Sequence, residues 1–111
     1  MTAMTASNVF LAVYTYRADR TARADKQPDH RLFLDRLVAD GALLAAGPSD
    51  HEHVGVLVVR AGDRADAERL LADDPYARAG YLASVDLHGW HPRVGTAAAA
   101  LSADDEGNPH G

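Results

Sequence analysis

Two residues in this chain have the types needed to move a proton together. His30 stands near the start of an amphipathic stretch, Pro28-Asp-His-Arg-Leu-Phe-Leu-Asp-Arg-Leu-Val-Ala-Asp-Gly41. Asp74 stands directly before Pro75, in Leu71-Ala-Asp-Asp-Pro-Tyr-Ala-Arg-Ala-Gly80. Histidine is the side chain whose ordinary titration range suits a general base near neutrality. A carboxylate that accepts a hydrogen bond from one ring nitrogen fixes the tautomer, leaving the other nitrogen to take a proton from an activated carbon or a hydroxyl. With one donor to steady a developing anion, such a pair suffices for an elimination or isomerisation on a small cyclic or phenolic molecule. The candidate donors are the Ser49 amide, the Ser49 hydroxyl and the Tyr76 hydroxyl.

Each of these residues also has a purely structural explanation. A first-turn histidine can simply bond a nearby backbone group or carboxylate. An aspartate before a proline at the first helical position is the expected N-cap. The two roles of Asp74 are compatible, because a carboxylate has two oxygens. Gly47-Pro48 is most simply a turn, and otherwise a contact for a ligand. Tyr14, Tyr16 and Trp90 suit an aromatic pocket or a dimer core, and the dimer core suits Tyr14 better.

The elements that must position these residues follow from hydrophobic periodicity. Val9-Phe-Leu-Ala-Val-Tyr-Thr-Tyr16 predicts a strand with two apolar faces, one carrying Val9, Leu11 and Val13, the other Phe10, Ala12, Tyr14 and Tyr16. Arg17 to Asp29 is polar and predicts a loop or lid. His30, Phe33, Leu34, Leu37 and Val38 recur at helical spacing, predicting a helix from about Asp29 to Asp40 that turns His30 toward the sheet. Gly41 is placed to end it with a positive φ angle. Two short strands follow, Ala42 to Ala46 and His53 to Arg60. A helix over Arg64 to Ala72 is opened by Asp63 and Asp66 in the manner of a capping box. A helical turn at Pro75 precedes a last strand over Tyr81 to Trp90.

The order β-α-β-β-α-β predicts an α+β fold: a ferredoxin-like split βαβ arrangement with an antiparallel sheet and helices on one face. Two helices cover only one face, so the other apolar face calls for a cover, and a homodimer is the expected solution. The competing expectation is that Tyr14 and Tyr16 sit half exposed.

Composition bounds the alternatives. The chain has 111 residues, one domain's worth, with 11 Lys plus Arg against 16 Asp plus Glu and a net charge of −5. That balance and the lack of basic stripes give no reason to expect nucleic acid as a partner. There is no cysteine, which excludes disulfides, thiol chemistry and sulfur-ligated metals. No apolar run is long enough for a membrane helix, and the leader Met1 to Ser7 lacks the pattern of a signal peptide, so a cytoplasmic protein without membrane partners is expected. Residues 1–95 are expected to form the domain, and the Ala-rich, acidic stretch 96–111 a flexible tail. His51-Glu52-His53, with His88 and His91, could bind a metal by residue type, but such a turn is usually just solvated; no metal and no cofactor is expected. Gly-rich nucleotide patterns are absent.

The motifs His30-x-x-x-Leu34-x-x-Leu37-x-x-x-Gly41-x-Leu43, then Ala46-Gly-Pro48, then Asp74-Pro-Tyr76-x-x-Ala79-Gly80, and a late strand ending at Trp90 resemble the YCII-related family. The resemblance covers roughly Val9 to Val94. It implies a dimeric α/β-barrel built from ferredoxin-like subunits, with a cleft in which His30 and Asp74 are the suspected catalytic pair. One branch of that family carries out dehydrochlorination of a chlorinated hydroxyquinol, and related dimeric barrels include isomerases of muconolactone. The expected activity is therefore that of a cofactor-free lyase or isomerase on a phenolic or lactone-like molecule, with a non-enzymatic ligand-binding or scaffold protein as the alternative.

Overall fold

In the computed structural model, which describes residues 7–102, four strands form one antiparallel sheet in the order β2-β3-β1-β4. The strands are β1 (Val9–Tyr16), β2 (Leu43–Pro48), β3 (Val54–Arg60) and β4 (Leu82–Trp90). Between them lie α1 (Arg20–Arg23), α2 (Gln27–Ala39), α3 (Arg64–Ala72) and α4 (Pro75–Arg78), and α5 (Ala98–Ser102) follows the sheet. The expected leader and tail fall mostly outside the described residues, at 1–6 and 103–111. Among the described residues, no helix is long and apolar enough to cross a membrane.

β1 is central, paired with β3 on one side and β4 on the other, and β2 pairs with β3. The α+β class and antiparallel sheet are as the sequence predicts, but the barrel is not. β2 and β4 are edges that pair with no further strand among the described residues, so the sheet stays open. Four twisted strands do not bring their outer edges together; small filled barrels use about eight.

The core lies between the sheet and two long helices. Phe10, Ala12 and Tyr14 of β1 point to that side, beside Leu57 and Val59 of β3 and under Ala67 and Leu71 of α3. Leu34 of α2 packs against the same cluster. Tyr14 is completely buried. That corrects the expectation of a dimer-core or half-exposed Tyr14, because strand alternation puts it beneath the helices with Phe10 and Ala12. The alternate residues, Leu11 and Val13 opposite Val58 and Val56, form the outer face.

Local chemistry explains the helix ends. Asp63 accepts a hydrogen bond from the Asp66 amide at 2.8 Å, while the Asp66 carboxylate turns to Arg69 instead of completing the capping box. Gly41, at φ 75°, ends α2 where a side chain would be strained. The expected loop from Arg17 to Asp29 is instead largely helical. Asp19 caps α1 by accepting from Ala22 N at 2.8 Å, a 3-10 turn (Ala24–Lys26) follows, and α2 begins at Gln27 with Pro28 in its first turn. Polar composition hid this segment because short capped helices carry little periodicity.

Gly55 in β3 is buried, and a Cβ there would lie 2.9 Å from the Tyr16 hydroxyl. Tyr16 is held edge-on between the rings of Tyr14 and Tyr76. Gly55→Ala is therefore expected to cost about 1 kcal/mol in urea unfolding. The Gly55→Ala/Tyr16→Phe double variant is expected to recover most of that loss, and a strictly additive double variant would show that the two side chains do not meet.

Candidate active site

Asp74 is the most buried charged residue described, with no exposure at all. Its place is set locally: it ends the short link after α3 and caps α4, with Pro75 at a position where no amide donor is needed. One carboxyl oxygen, Oδ1, accepts from the Tyr76 amide at 2.9 Å. The same oxygen lies 2.8 Å from His30 Nδ1, and Oδ2 accepts from the Tyr14 hydroxyl at 2.8 Å. The capping role and the histidine contact thus coexist, one carboxyl group serving α4, β1 and α2 together.

With Oδ1 accepting, the imidazole donates from Nδ1, so in the neutral ring Nε2 is the nitrogen that carries the lone pair. His30 keeps only 13% of its side-chain exposure. Its ring stacks on Tyr76 at 4.1 Å between centroids and 14° between planes. The ring is thus held by a hydrogen bond at one edge and an aromatic face at its side, which is how a catalytic imidazole keeps its orientation.

His30 and Tyr76 open onto a cleft of about 340 Å³ between the α1–α2 segment and the β2–β3 edge. Gly47 and Pro48 line it as well. Three other expected ligand residues do not. Ser49 accepts from His51 N and donates to Val54 O at 2.7 Å, and its own amide bonds Val54 O at 3.1 Å, so both candidate donors are used up in the β2–β3 turn. Trp90 lies at the far end of β4, opposite Val9. Tyr14 sits beneath the pair and touches Asp74 rather than the cleft.

Arg23 and Tyr16, by contrast, belong to the lining. The Arg23 guanidinium lies 3.8 Å over the Tyr16 ring, and Nη1 donates to Ala18 O at 2.6 Å. Arg23 escaped the sequence reading because it lies in a polar run of arginines and aspartates. The clue would have been a predicted helix there, which would have turned one arginine inward.

Burial pushes the phenols of Tyr16 and Tyr76 above the ordinary tyrosine range, and the nearby Arg23 opposes that in both. The Tyr14 phenol is held far above it, first by burial, then by the charge of Asp74 and the hydrogen bond to it. The histidines expected to be solvated are spread along the β2–β3 turn and β4. His53 Nδ1 contacts Tyr16 O at 3.1 Å, and His51 Nδ1 accepts from the His53 amide. Among the described residues, no three His, Asp or Glu side chains come together as metal ligands.

Fold and cleft together define a small α+β protein with an open antiparallel sheet and a carboxylate-oriented histidine at the rim of a pocket. The model of the YCII-related domain matches residues 9–91, and the chain belongs to that family. No curated protein matches the sequence significantly. Among solved structures, the chain is similar to the 5-chloro-2-hydroxyhydroquinone dehydrochlorinase TftG from Burkholderia phenoliruptrix AC1100, determined in complex with 2,5-dihydroxybenzoquinone. The TM-score is 0.64 at 21% identity, covering 74% of this chain and 92% of that one. It is also similar to PA3566 from Pseudomonas aeruginosa, with a TM-score of 0.50 at 18% identity, covering 85% of this chain and all of that one. At these identities the likeness concerns the fold.

Tyr14 supplies a test of the buried triangle. In the unfolded chain its hydroxyl loses its proton near pH ~10. In the folded protein it holds that proton to higher pH, so above pH ~10 the native state binds more protons and stability falls as pH rises. Its contribution is complete below that pH. The urea midpoint is expected to drop between pH 10 and 11 by an amount worth about 1 kcal/mol for this group. Tyr14→Phe should flatten that drop; an equally steep loss would place the alkaline sensitivity elsewhere.

Proposed function

We propose that this protein is a lyase or isomerase that needs no cofactor and works by acid–base chemistry on a small phenolic or lactone-like molecule. The observation that carries this is the 2.8 Å contact between His30 Nδ1 and the fully buried Asp74. In the proposed step, Nε2 of His30 takes a proton from a ligand hydroxyl or from a carbon beside a carbonyl. The electron pair left behind forms a new double bond. In an elimination, a leaving group such as chloride departs with its electrons. In an isomerisation, the imidazolium returns the proton to another carbon. Asp74 acts as the orienting group and stabilises the imidazolium that forms. The Tyr76 hydroxyl is the remaining candidate donor for developing negative charge on oxygen. The dehydrochlorinase of similar fold supports an elimination as the first reaction to try.

The proposal includes a homodimer. Leu11 and Val13 are only half-buried on the outer face, away from the core under the helices, and a second copy supplies an apolar partner for them.

Two measurements test these statements. Chloride release from 5-chloro-2-hydroxyhydroquinone, and absorbance changes with a panel of hydroxylated phenols and unsaturated lactones, should reveal turnover. His30→Ala should lower turnover by roughly 10²–10⁴-fold while keeping the circular dichroism of the wild type. Unchanged turnover in that variant would end the acid–base assignment. Sedimentation equilibrium should give twice the chain mass, and Val13→Asp should shift it to monomer, because a charge buried between two sheets costs several kcal/mol. A wild type that sediments as a monomer at all concentrations would remove the dimer.

A further inference from the structure

The cleft has a charge pattern that the acid–base pair does not use. Arg20, Arg23, His30 and Arg31 all line it, and no Asp or Glu does. This is a local excess of positive charge on a chain of net charge −5. Two of the arginines are ordinary rim residues. Arg20 is exposed, and exposed Arg31 is paired through Nε with Asp35 at 3.0 Å. Arg23 is different, with only 7% of its surface exposed.

A buried guanidinium is normally paired with a carboxylate, because an unpaired charge loses its hydration without compensation. Among the described residues Arg23 has no acidic partner. Its guanidinium donates to the Ala18 carbonyl and meets the Tyr76 hydroxyl, neither of which is an anion, and its buried Nε has no hydrogen-bond partner. Asp25, two residues along the chain, accepts from the Tyr81 hydroxyl at 2.8 Å. What holds Arg23 instead is the Tyr16 ring, 3.8 Å below it, with Tyr76 further off at 5.9 Å. A ring face steadies a cation without neutralising it or satisfying its donors. The protein therefore maintains a desolvated, oriented positive charge on the wall that also carries His30 and Tyr76.

We propose that Arg23 is the anion-recognising residue of this cleft, and that the ligand is a small planar ring presenting an anionic oxygen, carboxylate or phenolate, to its guanidinium. A cleft of about 340 Å³ takes a molecule of one ring. The stacked His30–Tyr76 pair and the Tyr16 face give a flat ligand aromatic walls. The inference rests on the site proposed above and adds the charge of the ligand to it. Arg23 fixes the anionic end, which places the rest of the ring toward His30 for proton transfer.

Calorimetric titration with matched probes tests this without knowledge of the natural ligand. Benzoate against benzamide tests a carboxylate; 4-nitrophenolate against 4-nitroaniline, at pH 9, tests a phenolate. The wild type should bind at least one anion about 10- to 100-fold more tightly than its neutral twin, and which pair discriminates identifies the group. Arg23→Gln should abolish that preference while leaving the affinity for the neutral twin unchanged. Arg23→Lys should retain part of it, and Arg20→Gln nearly all. His30→Ala should keep the preference even where turnover is lost. The proposal is overturned if neither anion outbinds its twin, if no probe binds saturably to the wild type, or if the preference survives Arg23→Gln. The wild-type comparison stands even if Arg23→Gln fails to fold. Anion preference without turnover of any phenol or lactone would defeat the proposed reaction and leave this inference intact; turnover without anion preference would do the reverse.

Discussion

The structure hangs on a buried carboxyl group with three donors. Asp74 ties α4 to itself through the Tyr76 amide, to β1 through the Tyr14 hydroxyl and to α2 through the His30 ring. A carboxylate removed from water costs several kcal/mol, and only a full set of short hydrogen bonds offsets that. The two oxygens differ in this respect. Oδ1 keeps the Tyr76 amide when His30 is lost, whereas Oδ2 depends on the Tyr14 hydroxyl, and a missing carboxyl group leaves a buried phenol and an unanchored imidazole. This constraint is what turns a helix cap into a candidate site. The cap alone would have been met by an exposed aspartate; the two additional donors require that it be buried.

The fold makes the meeting possible. Because β1 lies between β3 and β4, its inward residues reach both the α2 side and the α4 side of the molecule. Tyr14 sits at that crossing, and the T-shaped contacts from Tyr14 to Tyr16 and from Tyr16 to Tyr76 continue it to the cleft. Gly55 leaves room for the middle ring of that series. The aromatic residues thus carry position from the core to the surface, each fixed by its neighbours on two sides. Sheet packing, tyrosine stacking and the orientation of His30 are in that sense one problem, solved once.

Much of this was legible in the sequence, and the reasons are specific. The α3 boundaries, the glycine that ends α2 and the Asp74 cap all follow from local rules, because capping and positive φ are decided within a few residues. The pairing of His30 with Asp74 was readable only through motif resemblance, since a separation of 44 residues leaves no local trace. Tyr14 could be placed on a face of β1 but not on the correct side of the sheet, because both faces of that strand are apolar and alternation does not say which one meets the helices. Ser49 and Trp90 were misplaced for a similar reason. Residue type suggested a donor and an aromatic wall, whereas the turn used both serine donors and the length of β4 carried the tryptophan away from the cleft. The expected barrel failed at a higher level, because closure depends on how edges meet, which strand patterning does not encode.

Arg23 shows why the most informative residue can be the least visible one. In sequence it is one of three arginines within seven positions, Arg17 to Arg23, and nothing in its type separates it from the others. The structure separates them by burial. Asp19 caps α1, the helix turns Arg23 inward, and Tyr16 receives it. The energetic consequence differs from that of Asp74 although both are buried charges. Asp74 is surrounded by donors and is satisfied from within, whereas Arg23 rests on a ring, meets no carboxylate among the described residues and keeps a buried Nε without an acceptor. A fold that completes one buried charge and leaves its neighbour incomplete has spent its hydrogen bonds on orienting the imidazole. In the proposed reading, the incomplete charge favours a ligand that brings the missing anion and sets its ring beside Nε2 of His30.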